Sequence, residues 1–293
     1  KMKQKTEMGS RIAEVHNGSS LFTGDAGQGE SNIRRWIIEN DWLEAIVALP
    51  LNMFYNTGIA TYIWVMSNRK TKKRKGKVQL IDATKWFKPL RKNLGKKNCE
   101  FSEEDIQRIC QVYLDFKETE ESRIFDNAAL GYSKVTVERP LRLKGADPEK
   151  IYKAVELKKL RETCERSENA PPIIKKIHKK VAEPDPIRGL FEKTIKGKKV
   201  VVEYEPDSEL RDTEQIPLLE EGGIEAFLKR EVLPYAQDAW YVNDSVKIGY
   251  EISFTRYFYK PQSMRSLDEI RTDILSLGKE TEGLLEEIIG ADK

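Results

Sequence analysis

Cysteine and histidine are scarce in this chain of 293 residues. Its three cysteines, Cys99, Cys110 and Cys164, show no CxxC spacing, and its two histidines are His16 and His178. An odd, scattered set of thiols does not form a disulfide framework. A zinc site needs several nitrogen or sulfur ligands close together. The composition therefore argues against a disulfide-stabilised scaffold and against a metal centre.

Long hydrophobic runs are also missing. No apolar run approaches the roughly 20 residues that a membrane-spanning helix needs, and the opening residues KMKQKTE lack the apolar core of a signal peptide. Charged residues make up 34% of the chain and hydrophobic residues 39%, which allows a packed core under a broad polar surface. We therefore expect a cytoplasmic protein, and the length favours two domains.

The most informative stretch that is present covers residues 41–66, DWLEAIVALPLNMFYNTGIATYIWVM. Two short runs, Leu43–Leu49 and Ile59–Met66, are rich in β-branched and aromatic residues, which predicts strands. Between them, Phe54 and Tyr55 stand side by side next to Asn and Gly, in a loop that a turn exposes. A pair of exposed aromatics at a sheet edge forms a flat apolar wall, which suits a base lifted out of a DNA stack.

Further elements surround this stretch. Arg11–His16 and Val78–Asp82 are predicted strands, and Glu30–Asn40 is a predicted helix with one apolar face. The resulting order of strand, helix and three strands is typical of an α/β fold.

A dense basic run, Arg69–Lys77, directly follows the second strand of that stretch. Its central residues are Lys72, Lys73, Arg74 and Lys75. Such a run can contact phosphates and contribute a salt-dependent affinity for nucleic acid. A solvated hairpin loop is the alternative interpretation, since most charge runs are solvated. The net charge of +3 is too small to decide between the two.

Beyond residue 145 the pattern is mostly helical. Helices are predicted at Glu149–Glu168, Ile173–Glu183 and Gly223–Leu233. A strand is predicted at Lys198–Tyr204, and Tyr250–Tyr259 is predicted as a strand or extended arm.

The last predicted element, Ser266–Ile289, is the most regular helix, and Ser266 with Glu269 forms a capping box at its start. An apolar stripe at heptad-like spacing follows, interrupted by Thr281. The stripe consists of Ile270, Ile274, Leu277, Leu284 and Ile288. Packing within its own domain and docking on a partner helix both remain open, although the narrow spacing favours a long helical partner.

Several long strings carry a family resemblance. They are the stretch at 41–66, GSRIAEVHNGSSLFTGDAG at 9–27, FDNAALGYSKVTVERPLRL at 125–143, and a region at 206–261 that includes IGYEISFTRYFYKP. On these strings the chain resembles the C-terminal portion of the methyltransferase (M) subunit of type I restriction-modification systems. Enzymes of this family methylate adenine N6 in DNA.

The resemblance implies a fold and a domain organisation. Residues 1–145 would form the C-terminal half of a Rossmann-like methyltransferase sheet in which one strand runs antiparallel to its neighbours. Residues 146–293 would form a mainly helical subunit-docking domain with a short β element, ending in the heptad-like helix at 266–289.

The resemblance also implies site residues and partners. Phe54 would pack against the flipped adenine, with Tyr55 and Asn56 beside it, although Asn56 also suits the turn itself. DNA phosphates become the expected ligands of the basic run. The C-terminal helix would dock on helices of the specificity (S) subunit, which two M subunits flank. A nuclease (R) subunit is a further candidate partner.

Two motifs of the family are not found in the chain. One is the Gly-rich turn that binds S-adenosylmethionine (AdoMet), and the other is the Asn-Pro-Pro-aromatic tetrapeptide that holds the target amine. The nearest matches, Gly24–Gly29 and Asn169–Ile173, have the wrong spacing. AdoMet is therefore expected as a cofactor of the full enzyme only, and this chain alone is expected to contain no catalytic residue and to be inactive. The alternative function is a non-catalytic DNA-binding or assembly module built on a partial methyltransferase sheet.

Overall fold

A computed structural model describes residues 9–178, 182–259 and 265–290, and in the last helix it leaves aside the side chains of residue 280 and residues 282–290. The contacts divide the chain into two compact units, Lys1–Phe254 and Thr255–Lys293. The division predicted near residue 145 stays a prediction.

The first part of the larger unit alternates strands and helices. In chain order its elements are β1 (Arg11–Asn17), α1 (Ser19–Phe22), α2 (Gly29–Glu39), β2 (Leu43–Ala48), β3 (Thr61–Ser67), β4 (Lys77–Asp82), β5 (Lys88–Leu94), β6 (Lys97–Glu100), α3 (Glu103–Asp115) and β7 (Ser122–Asp126). The strands and the helix predicted above for this part are confirmed, with bounds shifted by at most two residues. Their hydrophobic patterns agreed with their tertiary environment, which is why sequence sufficed here.

Five of these strands form one sheet in the order β1-β3-β2-β4-β7. β3 is antiparallel to both β1 and β2, whereas β2 and β4 are parallel. β1, β2 and β4 therefore all end at the same edge of the sheet, which we call the carboxyl edge; we call the opposite one the amino edge. Open α/β sheets place their binding sites at the carboxyl ends of parallel strands.

Helices cover both faces of this sheet. Every residue of β2 is buried, and α3 packs Ile109 and Val112 over a core that contains Val47 and Ile81. On the other face, α2 and the strand residues Trp64 and Met66 line a cleft. β1 lies at the end of the sheet and, within the described residues, pairs only with β3, so one of its sides is open.

The second part of the larger unit is built mainly of strands. In chain order its elements are β8 (Gly131–Glu138), α4 (Ala154–Thr163), β9 (Ile174–His178), β10 (Phe191–Ile195), β11 (Lys198–Tyr204), β12 (Asp212–Pro217), α5 (Gly223–Phe227), β13 (Trp240–Tyr241) and β14 (Lys247–Tyr250). They form a sheet in the order β10-β11-β9, and a second sheet in which β8 pairs with β12, β13 and β14. Short turns of 3-10 helix lie at Lys72–Arg74, Asn127–Leu130, Pro186–Arg188 and Asn243–Ser245, and a π-helical turn at Leu228–Val232 continues α5.

The expectation of a mostly helical C-terminal domain is therefore wrong. The predicted helix at 149–168 shrinks to α4, and the one at 173–183 contains β9 instead, with residues 179–181 outside the described part. Isoleucine suits a pleated surface, and pairing with the valine-rich β11 overrides the local helical pattern. Likewise, the predicted strand or arm at 250–259 contains the end of β14 and a short helix, α6 (Phe254–Phe258).

The smaller unit is dominated by α7 (Leu267–Gly290). Its capping box is confirmed, because Ser266 N donates to Glu269 Oε2 at 2.8 Å and Glu269 N donates to Ser266 Oγ at 3.2 Å. Among the described residues, no helix combines the length and apolarity that crossing a bilayer requires.

Candidate functional site

The aromatic loop, residues 50–58, lies at the carboxyl edge because it joins the end of β2 to the start of β3. Asn52 and Asn56 take left-handed backbone conformations, with φ of 58° and 54°, which asparagine tolerates better than most residues. Thr57 N donates to the carbonyl of Phe54 at 3.3 Å. This tight turn leaves Phe54 37% exposed and Tyr55 67% exposed. Both aromatic rings are thus available to a ligand at this edge.

The β5–β6 hairpin lies directly against this loop. Gly95, at the hairpin tip, has φ of 60°, and a Cβ there would lie 2.4 Å from Asn56 Oδ1 and 3.1 Å from the Tyr55 ring. Asn98 N donates to the carbonyl of Asn52 at 3.1 Å. The loop and the hairpin therefore pack as one surface, and Asn56 helps to join them.

The hairpin carries five basic residues, so we call it the basic hairpin. It contains a single acidic residue, Glu100, and its cations form no ion pair within 4.0 Å in the part of the chain that the structure describes. The five cations are Lys88, Arg91, Lys92, Lys96 and Lys97. Sequence reasoning missed this group, although KPLRKNLGKK, with its Gly between two basic pairs, was a usable signal.

The predicted phosphate-binding residues, Lys72–Lys75, lie at the amino edge of the sheet, opposite the aromatic loop. β3 starts near the aromatic loop and runs for seven residues away from it. At about 3.3 Å per residue, this separates the two loops by roughly 20 Å. The structure therefore does not bring Lys72–Lys75 together with Phe54, Tyr55 and Asn56.

Arg74 points into the protein, unlike its neighbours. It is 3% exposed, and its guanidinium lies over the rings of Tyr113 and Phe116, 4.1 Å and 4.3 Å from their centroids. It also donates to Gln79 Oε1 at 3.2 Å and to the carbonyl of Tyr113. Burial lowers the pKa of Arg74 from its usual value. Nζ of Lys73 donates to the carbonyl of Leu114 at 2.7 Å.

Lys70, in the same basic run, is buried and forms an ion pair with the partly exposed Asp41. Its Nζ lies 2.5 Å from Asp41 Oδ1 and donates to the carbonyl of Lys77 at 2.7 Å. Burial raises the pKa of Asp41, but hydrogen bonds from Lys70, Gly76 and Asn127 lower it more, so the net shift is downward. Burial lowers the pKa of Lys70, and the pair with Asp41 opposes this only in part. This run thus stabilises the amino edge of the sheet.

The Gly24–Gly29 loop does not fit a methyl donor. Asp25 pairs with Lys134 at 2.7 Å, and Ala26 is fully buried. A Cβ at Gly27 would lie 3.0 Å from the side chain of Lys247. The loop is therefore a packed turn against the second part of the unit rather than an open cradle.

The apolar stripe of α7 is exposed where it is described. Ile270, Ile274 and Leu277 are 39%, 64% and 61% exposed, while the side chains of Leu284 and Ile288 lie outside the described part. Docking by this stripe stays a prediction.

The family profile of N-6 DNA methylases matches residues 1–138. The MjaVIII methylase subunit of Methanocaldococcus jannaschii, a type I restriction enzyme subunit, is 31% identical over 106 residues, which are 36% of this chain and 18% of that protein. The HindI methylase subunit of Haemophilus influenzae is 48% identical over 73 residues, which are 25% of this chain and 16% of that protein. The chain thus spans less than a fifth of these relatives.

Solved structures give partial likenesses. The methyltransferase subunit of the type I restriction-modification system from Streptococcus thermophilus shows 24% identity and a TM-score of 0.36, over 44% of this chain and 25% of that one. The EcoKI M protein shows 25% identity and a TM-score of 0.27, over 35% and 21%. Residues 1–138 match the N-6 DNA methylase family, and the chain is a partial match to methylase subunits of type I restriction enzymes.

Proposed function

We propose that this chain is part of the modification subunit of a type I restriction-modification enzyme that methylates adenine N6 in DNA. Its role would be to supply one wall of the base pocket and part of the DNA-facing surface. One observation carries the proposal: exposed Phe54 and Tyr55 share the carboxyl edge with a basic hairpin whose cations are unpaired within the described residues. The family match of residues 1–138 supports the chemistry.

The aromatic loop would receive the target base. A base inside a duplex must leave the stack before its exocyclic amine can react, and stacking on an aromatic ring is worth about 1–3 kcal/mol. Phe54 would provide that ring, with Tyr55 beside it and Asn56 holding the loop against Gly95. A neutral amine is a weak nucleophile, so most of the acceleration would come from positioning.

The phosphates on either side of the flipped base would contact the basic hairpin. Each phosphate contact releases counterions and makes binding salt-dependent. Lys72, Lys73 and Lys75 remain candidates for a separate phosphate contact at the amino edge, whereas Arg74 is held inside by Tyr113 and Phe116.

AdoMet would be the methyl donor of the complete enzyme. The Gly24–Gly29 loop does not fit that donor, so we assign no donor site to this chain and expect no methyl transfer by it alone. Calorimetric titration of the chain with AdoMet checks this expectation, and micromolar binding would contradict it.

The partners proposed for the chain are DNA, an S subunit, a second M subunit and a nuclease subunit. Its relatives are methylase subunits of type I restriction enzymes, which by that description belong to larger enzymes. We assign the α7 stripe to the S subunit, because Ile274 and Leu277 present apolar surface that a helical partner would cover.

An Ile274→Glu, Leu277→Glu variant tests that assignment. Both side chains are largely exposed, so the far-UV spectrum and melting point of the chain should stay unchanged. Co-purification with the S subunit should be lost, because an unpaired carboxylate in an apolar seam costs several kcal/mol. A lowered melting point would instead show that the stripe packs within the chain.

The alternative, a non-catalytic DNA-binding or assembly module, would use the same hairpin and the same stripe without any base flipping. The two functions differ in the importance of Phe54. A binding module needs the cations, but only a methyltransferase needs an aromatic wall for the base.

The deciding experiment uses a complete type I enzyme whose M subunit contains this chain. Phe54→Ala should lower the methylation rate about 5- to 150-fold and reduce 2-aminopurine fluorescence at the target base, which follows from the lost stacking. Tyr235→Ala is the matched control, since Tyr235 is an exposed aromatic outside the aromatic loop. Wild-type rates for both variants would remove Phe54 from the base pocket.

A further inference from the structure

The basic hairpin is a two-stranded ribbon with one anchored strand and one free strand. β6 is anchored, because Cys99 is 1% exposed and its Sγ donates to the carbonyl of Leu51 at 3.2 Å. β5 pairs only with β6 among the described residues. All of its residues are exposed except the half-buried Leu90. The outer strand can therefore meet a ligand along most of its length.

The outer strand carries a wide bulge. Its register leaves the four residues Leu90–Asn93 opposite the single residue Asn98. Surplus residues of this kind are pushed out of the ladder, and bulges are common next to active sites, where they re-aim side chains. The bulge contains exposed Arg91, Lys92 and Asn93. Within the described residues, these three side chains form no hydrogen bond or ion pair.

The bulge lies close to the aromatic loop. A Cβ at Gly95 would lie 3.1 Å from the Tyr55 ring, and Asn93 and Arg91 precede Gly95 by two and four residues. At about 3.3 Å per residue, their Cα atoms lie at most roughly 7 and 13 Å from Gly95. With about 3.4 Å between neighbouring base pairs, the bulge is confined to the pairs within about four of a base held by the aromatic loop.

A two-stranded ribbon suits one groove of DNA. Its strands lie about 4.8 Å apart before side chains are added. The major groove is about 12 Å wide and admits such a ribbon, whereas the minor groove is about 6 Å wide. The cations of the hairpin complement the phosphates along the groove. Its one acidic residue, Glu100, lies opposite Lys88, at the far end of the ribbon from the turn.

The bulge also carries residue types that recognise bases in this groove. Asparagine forms a pair of hydrogen bonds with adenine N6 and N7, and arginine forms a pair with guanine O6 and N7. Contacts to phosphates position a protein on DNA, but contacts to base edges specify a sequence. Arg91 and Asn93 therefore offer more than charge.

We propose that the outer strand of the basic hairpin enters the major groove beside the flipped adenine and that its bulge recognises base pairs there. Asn93 donates to adenine N7 and accepts from the N6 amine, while Arg91 donates to guanine O6 and N7. The chain thus contributes a sequence preference of its own next to the target base. This inference rests on the proposed function, because the base held by the aromatic loop fixes the position of the hairpin on the DNA.

Duplexes with altered purines test the proposal on a complete type I enzyme whose M subunit contains this chain. A 7-deazaadenine or 7-deazaguanine replaces one purine at a time within about four base pairs of the target adenine. Each analogue lacks the N7 acceptor of the major groove and keeps normal pairing. The loss of one hydrogen bond should weaken binding about 2- to 12-fold at the contacted positions. The control is 3-deazaadenine, which lacks only the minor-groove acceptor and should not change the affinity. Fluorescence anisotropy measures both.

Two variants isolate the contribution of the bulge. Asn93→Ala should abolish the loss at 7-deazaadenine alone, and Arg91→Ala the loss at 7-deazaguanine alone, because each variant lacks the donor that the missing N7 would accept. Both side chains are exposed and have no described partner, so the fold is not at stake. Positions that other subunits contact affect wild type and variants alike. Asn32→Ala is the matched control, since Asn32 is an exposed asparagine on α2, and it should keep every loss.

Phe54→Ala separates a failure of this inference from a failure of the proposed function. It should lower the methylation rate and keep the losses at the 7-deaza positions. If it lowers the rate while Asn93→Ala and Arg91→Ala leave those losses unchanged, the groove contact is wrong and the proposed function stands. A loss at 3-deazaadenine that Asn93→Ala removes would place the ribbon in the minor groove and overturn the proposal. A wild-type rate in Phe54→Ala, with losses that still depend on Asn93, would support the groove contact and remove Phe54 from the base pocket.

Discussion

The two basic runs of this chain look alike in sequence and differ in the fold. The run at 69–77 lies at the amino edge, where Lys70 and Arg74 are buried in an ion pair and against aromatic rings. The run at 88–97 lies in the basic hairpin at the carboxyl edge, beside Phe54 and Tyr55. Charge density alone therefore does not identify a DNA-binding segment, because the same residue types also stabilise a sheet edge from within.

The largest expected effect concerns DNA binding by the hairpin. In the complete enzyme, an Arg91→Gln, Lys92→Gln, Lys96→Gln variant should lower the slope of log affinity against log salt by about 2 to 3, since each lost phosphate contact removes about 0.9. The matched control is Lys72→Gln, Lys75→Gln at the amino edge, which should lower it less. Fluorescence anisotropy across a salt series measures the slope for both variants. Equal slopes would show that the carboxyl edge contributes no more to phosphate binding than the amino edge.

The next effect concerns stability at the amino edge. Lys70→Met removes the buried partner of the ion pair and leaves the Asp41 carboxylate with the donors of Gly76 and Asn127. Because Asp41 is 31% exposed and keeps these two donors, the loss should be about 1.5–3 kcal/mol, as for a hydrogen bond to a charged group. Urea unfolding of the chain should report that loss. The control is Lys72→Met, which changes an exposed residue nearby and should alter the free energy of unfolding little. A loss below about 1 kcal/mol would show that the pair contributes no more than a surface pair.

A smaller effect is expected at the junction of loop and hairpin. Gly95→Ala places a Cβ against Asn56 at a positive φ and should cost about 1–2 kcal/mol. DNA affinity should fall as well, since the hairpin would move away from the aromatic loop. Gly76→Ala is the matched control, because Gly76 also has a positive φ but nothing lies within 4 Å of its Cβ position. Equal losses for the two variants would attribute the cost to the backbone alone.

The smallest effect is a pH dependence at the amino edge. Because the pKa of Asp41 is lowered in the folded chain, its contribution is present above the unfolded value of about 4 and is lost as pH falls through the folded value. The free energy of unfolding should therefore fall less steeply with decreasing pH in Lys70→Met than in the wild type. If the free energy of unfolding fell with the same slope for the wild type and Lys70→Met as the pH is lowered, this prediction would be contradicted.

Sequence and structure agree best where periodicity and burial coincide. The runs at 43–49 and 59–66 became β2 and β3 because their apolar residues match a sheet covered by helices on both faces. The capping box at Ser266 was equally local and was confirmed. In the second part of the chain the strand predicted at Lys198–Tyr204 was confirmed as β11. The helix predicted at 173–183 was wrong, because Ile174–His178 takes its conformation from pairing with β11 rather than from its own pattern.

The sequence by itself determined the likeness of residues 1–138 to N-6 DNA methylases, four of the five strands of the first sheet, the exposed Phe54 and Tyr55 and the start of α7. The tertiary structure alone decided which basic run lies beside the aromatic loop, because β3 carries the chain some 20 Å from that loop before Lys72 and β4 returns it to the carboxyl edge before Lys88. It also decided that Glu138 and Trp240, about a hundred residues apart in sequence, share a cleft. Strand direction and long-range pairing are properties of the whole sheet, and a local pattern of residues does not encode them.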